Sequence, residues 1–113
     1  MITAADLADR LELKLLTQNG KEDTEVTDGC VCDLLSWVMA RGEQGMAWVT
    51  VQTHLNVVAV ACLHDFACVI IPENIEVPEA TIKKASDEGI IIYSSPKTSY
   101  RICSEMSGLG IGK

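Results

Sequence analysis

The residues with the widest chemical repertoire sit in a few short polar interruptions of an aliphatic chain. Val51-Gln52-Thr53-His54-Leu55-Asn56 sets two amides, a hydroxyl and an imidazole between two apolar runs. Such a segment reads as a polar rim over a helix N-terminus, able to hold an anion or a small polar ligand. It reads equally as a strand-to-helix turn with Thr53 as the N-cap. Ser94-Ser95-Pro96-Lys97-Thr98 offers three hydroxyls and an ammonium, suited to cradling a phosphate or, more simply, to a capped loop. His54 has the chemistry of a general base, but no Ser, Cys or Asp partner is set beside it by spacing. Cys30-Val31-Cys32 would put two thiols on one side of a strand, where they could join His54 or His64 at a metal or form a redox pair. Zinc sites usually space their cysteines by two to four residues and bring a second ligand pair. No second pair exists, so the thiols are read as structural and no metal or cofactor is expected.

Several catalytic signatures are missing. There is no Walker-type phosphate loop, no dinucleotide-binding glycine fingerprint after a strand, no His-Glu-x-x-His and no Gly-x-Ser-x-Gly elbow. Gly108-Leu109-Gly110-Ile111-Gly112-Lys113 follows a helical pattern instead of a strand, so it is read as a frayed tail.

The elements that would position these residues can be read along the chain. Thr3 and Asp6 approximate a capping box for a first helix carrying Leu7, Ala8 and Leu11. Leu13 to Thr17 reads as strand one, Glu25 to Cys32 as strand two, and Met46 to Val51 as strand three. Asp33 is a good N-cap for a helix from Leu34 to Arg41, with Gly42 at its C′ position. Thr53 caps a helix over His54–His64 that is apolar almost all round and so is expected to be deeply packed. Ala67 to Ile71 reads as a strand buried on both faces. Pro78, Glu79, Glu88 and Gly89 frame another helix. Ile90 to Ser94 is strand five, and Thr98 or Ser99 opens a last helix through Met106.

This alternation implies βαβ units and a largely parallel sheet with helices on both faces. In open sheets of that kind, ligands bind outside the carboxyl ends of the strands. That rule gathers Asp33, the segment from Gln52 to Asn56, Pro72-Glu73-Asn74 and the segment from Ser94 to Thr98 onto one rim.

Composition bounds the function. The 113 residues suit one domain, 48% are hydrophobic and only 4% aromatic, so the core must be aliphatic. A net charge of −7 opposes binding to nucleic acid or to anionic membrane. The longest apolar stretch, Val57 to Leu63, is too short to span a bilayer. The N-terminal residues lack a signal-peptide pattern. The five cysteines mostly lie in apolar runs, as suits reduced, buried thiols in a reducing compartment. A cytoplasmic protein is expected.

Residues Cys32 to Ala40, then Trp48-Val49-Thr50-Val51-Gln52-Thr53-His54-Leu55-Asn56 on to Ala61, resemble the small stand-alone DRTGG-domain proteins. These are related to the N-terminal domain of HPr kinase/phosphorylase and are often encoded beside iron-hydrogenase or redox genes in anaerobes. The resemblance covers residues 1 to 107, leaving 108–113 as a flexible tail. It implies a three-layer α/β/α sandwich with a mixed, mostly parallel sheet of about five strands. It implies no established activity, since the kinase carries its phosphate loop in a separate domain. The family's Thr-Gly-Gly should follow strand four. Ile71-Pro72-Glu73-Asn74 stands there instead, which removes the permissive backbone that close ligand approach needs.

The expected function is therefore a non-catalytic regulatory, ligand-binding or protein-interaction module. It would sense a small anionic ligand through Asp33, Gln52, Thr53, His54, Asn56, Ser94, Ser95 and Thr98, or bind a partner, and would self-associate as a homodimer or larger homo-oligomer. Trp37 or Trp48 would serve that contact if exposed. The alternatives are a small phosphotransfer or hydrolytic enzyme using His54, and a redox or metal partner protein using Cys30 and Cys32.

Overall fold

Cys68-Val69-Ile70-Ile71 is apolar at every position, and it has to be. In the computed structural model, which describes residues 1–112, it is the central strand of a sheet covered on both sides. The elements in chain order are α1 (Ala4–Leu11), β1 (Lys14–Leu15), β2 (Asp28–Val31), α2 (Leu35–Arg41), β3 (Met46–Val49), α3 (Leu55–His64), β4 (Cys68–Ile71), α4 (Glu79–Glu88), β5 (Ile92–Ser94) and α5 (Ser99–Gly108). The strand order is β1-β5-β4-β3-β2. β2, β3, β4 and β5 are mutually parallel, and β1 closes the edge antiparallel to β5. The expected three-layer, mixed five-stranded architecture is therefore what forms.

Strand alternation divides the core in two. Met46, Trp48, Val69, Ile71 and Ile92 point to one face and pack under α2, α3 and α4 through Val38, Val57, Val58, Ala61 and Ala85. Ala47, Val49, Cys68, Ile70 and Tyr93 point to the other, under α1 and α5 through Leu7, Leu11, Ile102 and Met106. Leu109 and Ile111, beyond α5, lie against this second core; of the segment 108–113, Lys113 falls outside the described residues. Among the described residues no helix is long and apolar enough to cross a membrane.

The ends of several elements differ from the sequence reading, each for a local reason. Strand one shrinks to two residues because Thr17 completes the ladder with its side chain: the Ile92 N–H donates to Thr17 Oγ1 at 3.1 Å. Strand two starts late because Val26 donates its N–H to Ile2 and not to β3. Strand five starts late because Ile90 donates to Ala85 and so closes α4. Gly89 takes the left-handed C-cap as expected, φ 72°. Gly42 does not: its φ is −63°. Glycine is required there by crowding, since a Cβ would sit 2.9 Å from the Val38 carbonyl and 2.7 Å from Phe66. The Thr3–Asp6 capping box is present, with Asp serving in place of Glu.

Two burial expectations need correction. Only Cys68 of the five thiols is fully buried, Cys62 is exposed, and Cys30, Cys32 and Cys103 are half-buried. α3 is not packed all round: Val57, Val58, Val60 and Ala61 are buried, while Leu55, Ala59, Cys62 and Leu63 face outward. Trp48 is buried and donates its Nε1–H to the Cys32 carbonyl at 2.8 Å. Trp37 is exposed.

Tyr93 ties the N-terminal segment to the sheet. Its hydroxyl donates to the Glu22 carboxylate at 2.8 Å, with the Ala4 carbonyl 3.2 Å away. Burial, reinforced by that carboxylate, pushes the Tyr93 phenol well above its usual 10.0. The unfolded chain therefore loses this proton first as pH rises past about 10, and stability falls from there upward. Tyr93→Phe should cost about 1 kcal/mol at neutral pH and flatten the alkaline decline. Urea titrations of both proteins between pH 7 and 11 check this.

Candidate functional site

Because β2 to β5 run parallel, their carboxyl ends share one edge. That edge carries Asp33, the segment 52–56, the loop 72–77 and the segment 94–98. Backbone hydrogen bonds link neighbouring parts of it. Thr50 donates its N–H to Ile70, Asn74 to Ser95 and Glu73 to Lys97. The residues singled out from the sequence thus lie along a single rim, although they are not all in mutual contact.

Asp33 organises one end. It does not cap α2; the N-cap is Leu34, with no side-chain hydrogen bond. Asp33 Oδ1 instead accepts from Thr50 Oγ1 at 2.8 Å and from the Val51 N–H at 2.9 Å. Gln52 Nε2 donates to the Asp33 carbonyl at 3.0 Å, and the Gln52 N–H donates to Thr50 Oγ1 at 3.1 Å. The carboxylate was drawn to donors across the sheet because β2 and β3 end side by side, a long-range arrangement that cap spacing does not register.

α3 is capped by His54, not Thr53. His54 Nδ1 accepts from the Asn56 N–H at 3.1 Å, so the neutral ring carries its proton on Nε2. Thr53 contributes its carbonyl, which accepts from buried Thr81 Oγ1 at 2.7 Å and holds α4 against α3. The exposed imidazole thus presents an Nε2–H donor at a helix N-terminus.

At the far end, Ser95 is buried and its Oγ accepts from the Lys97 N–H at 3.1 Å. Lys97 Nζ donates to Glu105 at 2.8 Å and to the Leu11 carbonyl at 3.1 Å. Its ammonium is thereby committed to α5 and α1. Thr98 caps α5, accepting from the Arg101 N–H at 3.1 Å. Ser94 ends β5 and is half-buried.

The loop after β4 holds the feature least visible in sequence. Glu73 and Asn74 stand where two glycines were expected, and both take left-handed backbone, with φ 58° and 54°. The glycine-like path is kept without glycine, at a conformational cost of about 1–2 kcal/mol for a residue such as Glu. It survives because both N–H groups donate across to Lys97 and Ser95, each at 2.9 Å. Those N–H groups are therefore turned toward the neighbouring loop.

Cys30 and Cys32 both pack against the α2-side core. Burial pushes the Cys30 thiol up, with neighbouring Cys32 adding to it. A raised thiol disfavours the thiolate that nucleophilic or metal chemistry needs. Among the described residues, no group of three or more His, Cys, Asp or Glu side chains is arranged to hold a metal.

The architecture is of the kind used by DRTGG-containing regulatory domains, and a direct structural comparison bears this out at the level of fold. The chain is similar to the CBS and DRTGG domains of the regulatory region of Clostridium perfringens pyrophosphatase, solved in complex with the activator diadenosine tetraphosphate. The TM-score is 0.74 at 11% identity, over 92% of this chain and 45% of that one. The chain thus spans less than half of that regulatory region and has a DRTGG-like fold. No protein-family model matches the sequence, and no curated protein does.

Two stability measurements test the rim. Asp33→Ala strands the Thr50 hydroxyl and the Val51 N–H, and should cost about 1–2 kcal/mol in urea unfolding. Glu73→Gly relieves the left-handed strain but adds unfolded-state entropy. The balance should raise stability by about 0.5–1 kcal/mol.

Proposed function

We propose that this domain is a non-catalytic regulatory module that works by binding and not by turnover. The observation that carries the reading is the use to which its reactive-looking groups are put. Asp33, His54, Ser95 and Lys97 each serve as an internal hydrogen-bond partner that shapes the rim. A general base or nucleophile needs its reactive atom directed at a substrate, whereas Nδ1 of His54 is spent on the helix backbone. The raised Cys30 thiol weighs equally against a redox or metal role for the Cys30–Cys32 pair.

The finer form of the proposal is a small anionic ligand at the rim. His54 Nε2–H at the α3 N-terminus, with Gln52, Asn56 and Thr98 along the same edge, supplies neutral donors of the kind that bind phosphate oxygens. The pyrophosphatase regulatory region of similar fold was solved with a dinucleotide polyphosphate, which makes nucleotides the first class to try. Relation to the HPr kinase N-terminal domain, association with hydrogenase systems, a cytoplasmic setting and self-association belong to the same proposal.

Thermal unfolding with ATP, diadenosine tetraphosphate, acetyl phosphate and inorganic phosphate tests it. A true ligand at ten times its Kd should raise Tm by about 5 °C, and His54→Ala should diminish that shift. Absence of a shift with every anion overturns the ligand assignment. Release of phosphate or phosphotransfer that His54→Ala abolishes overturns the non-catalytic reading.

A further inference from the structure

Three helices cover one face of the sheet, but only one of them is dressed for water. α4 carries Glu79, Lys83, Lys84, Asp87 and Glu88 among its ten residues. The seven residues of α2 and the ten of α3 carry a single formal charge, Arg41. That guanidinium is itself stacked over the Trp37 ring at 5.0 Å. Among their exposed side chains, Ser36, Arg41 and Asn56 are polar, but the large ones are apolar: Trp37 is 54% exposed, Leu55 43% and Leu63 65%, with Leu34 at the α2 N-cap 61%. The two helices adjoin, with His64 Nε2 2.8 Å from the Met39 carbonyl. Together these four residues expose on the order of 450 Å², comparable to the largest apolar patch of an ordinary monomer.

The outward stripe of α3 is nearly palindromic. Leu55, Ala59 and Leu63 follow one another at intervals of four, so a leucine flanks the small residue on each side. A two-fold axis through Ala59 sets two such helices antiparallel, Leu55 of each copy against Leu63 of the other. Closest approach then falls where the side chain is smallest. The same axis lays α2 over its counterpart, covering Leu34 and Trp37. It also brings the Lys84–Glu88 pair, which borders the groove beside Ala59 and Leu63, against the reversed pair of the other copy. For a chain of net charge −7, a face with few formal charges brings fewer like charges into close contact with a second copy than a charged face does. Sheet extension through the free β2 edge is disfavoured, because the Asp28 carboxylate occupies the Gly29 N–H at 2.7 Å.

We infer that α2 and α3 form an isologous dimer interface with a second copy of this chain, centred on Ala59. Covered completely, two such faces contribute on the order of 900 Å² from these residues alone, so that with their neighbours the interface reaches the lower limit for a specific association. The inference gives a location to the self-association in the proposed function, and it fails or holds independently of whether the protein turns anything over.

Sedimentation equilibrium of the full chain from 1 to 100 μM should show a dimer. Leu63→Glu, with far-UV circular dichroism unchanged, should weaken it at least tenfold, and Tyr100→Glu on the opposite helix layer should leave it intact. As a test that needs no destabilising variant, Ala59→Cys in a Cys62→Ser background should form an intermolecular disulfide under mild oxidation. A chain monomeric at 100 μM, a dimer indifferent to Leu63→Glu, or failure of Cys at position 59 to cross-link would each overturn the interface. None of these bears on the non-catalytic reading, which the phosphate-release and phosphotransfer assays decide.

Discussion

Burial of β4 on both faces is the constraint from which the rest of the structure follows. Each residue from Cys68 to Ile71 is buried, alternating between the two cores. A strand of that kind can exist only where parallel neighbours satisfy its backbone and helices seal both sides. β3 and β5 supply the first, α3 with α4 and α1 with α5 the second. The parallel arrangement in turn forces every strand from β2 to β5 to end on one edge, which is why polar segments far apart in the chain become neighbours.

That edge is held by hydrogen bonds of side chains with both backbone and side-chain partners. Asp33 joins the end of β2 to the turn after β3, Thr81 joins α4 to the turn before α3, and Ser95 with Lys97 joins β5 to α5 and α1. The result is a rim braced at each end by its own side chains, with the exposed His54 presenting Nε2–H as an outward donor. The proposed binding role rests on this arrangement, in which Asp33 Oδ1, Ser95 Oγ and Lys97 Nζ hold the rim's own positions.

Much of the fold was legible in the sequence, because patterning and caps are local. The helix over Glu79–Glu88 with Gly89, the Thr3–Asp6 box and the largely parallel sheet all followed from it, while the mixed five-stranded form was what the family resemblance implied. What was not legible depended on contacts distant in the chain. Asp33 has the right type and place to cap α2, and only the nearby end of β3 diverts it. Thr53 and His54 both have cap chemistry, and the hydroxyl-bearing residue is the statistically favoured one. Glu73 and Asn74 in place of two glycines pointed to a loss of permissive backbone, yet both residues take the left-handed path. Cross-loop hydrogen bonds preserve it at the expense of strain. The apolar character of α3 was read correctly, but composition alone does not say whether the outer side meets its own sheet, another helix or a second molecule.

The antiparallel strand β1 has a bearing on assembly of the chain. Lys14 and Leu15 find their partners only at Ser94 and Tyr93, and Thr17 must wait for Ile92. Every other sheet neighbour is linked by a short crossover that can form as synthesis proceeds. This pairing spans nearly eighty positions, so the segment around β1 stays unsatisfied until almost the whole domain has been made. Loop-closure entropy makes that step slow relative to the local crossovers. The edge strand that comes first in the domain thus depends for its pairing on the strand that comes last.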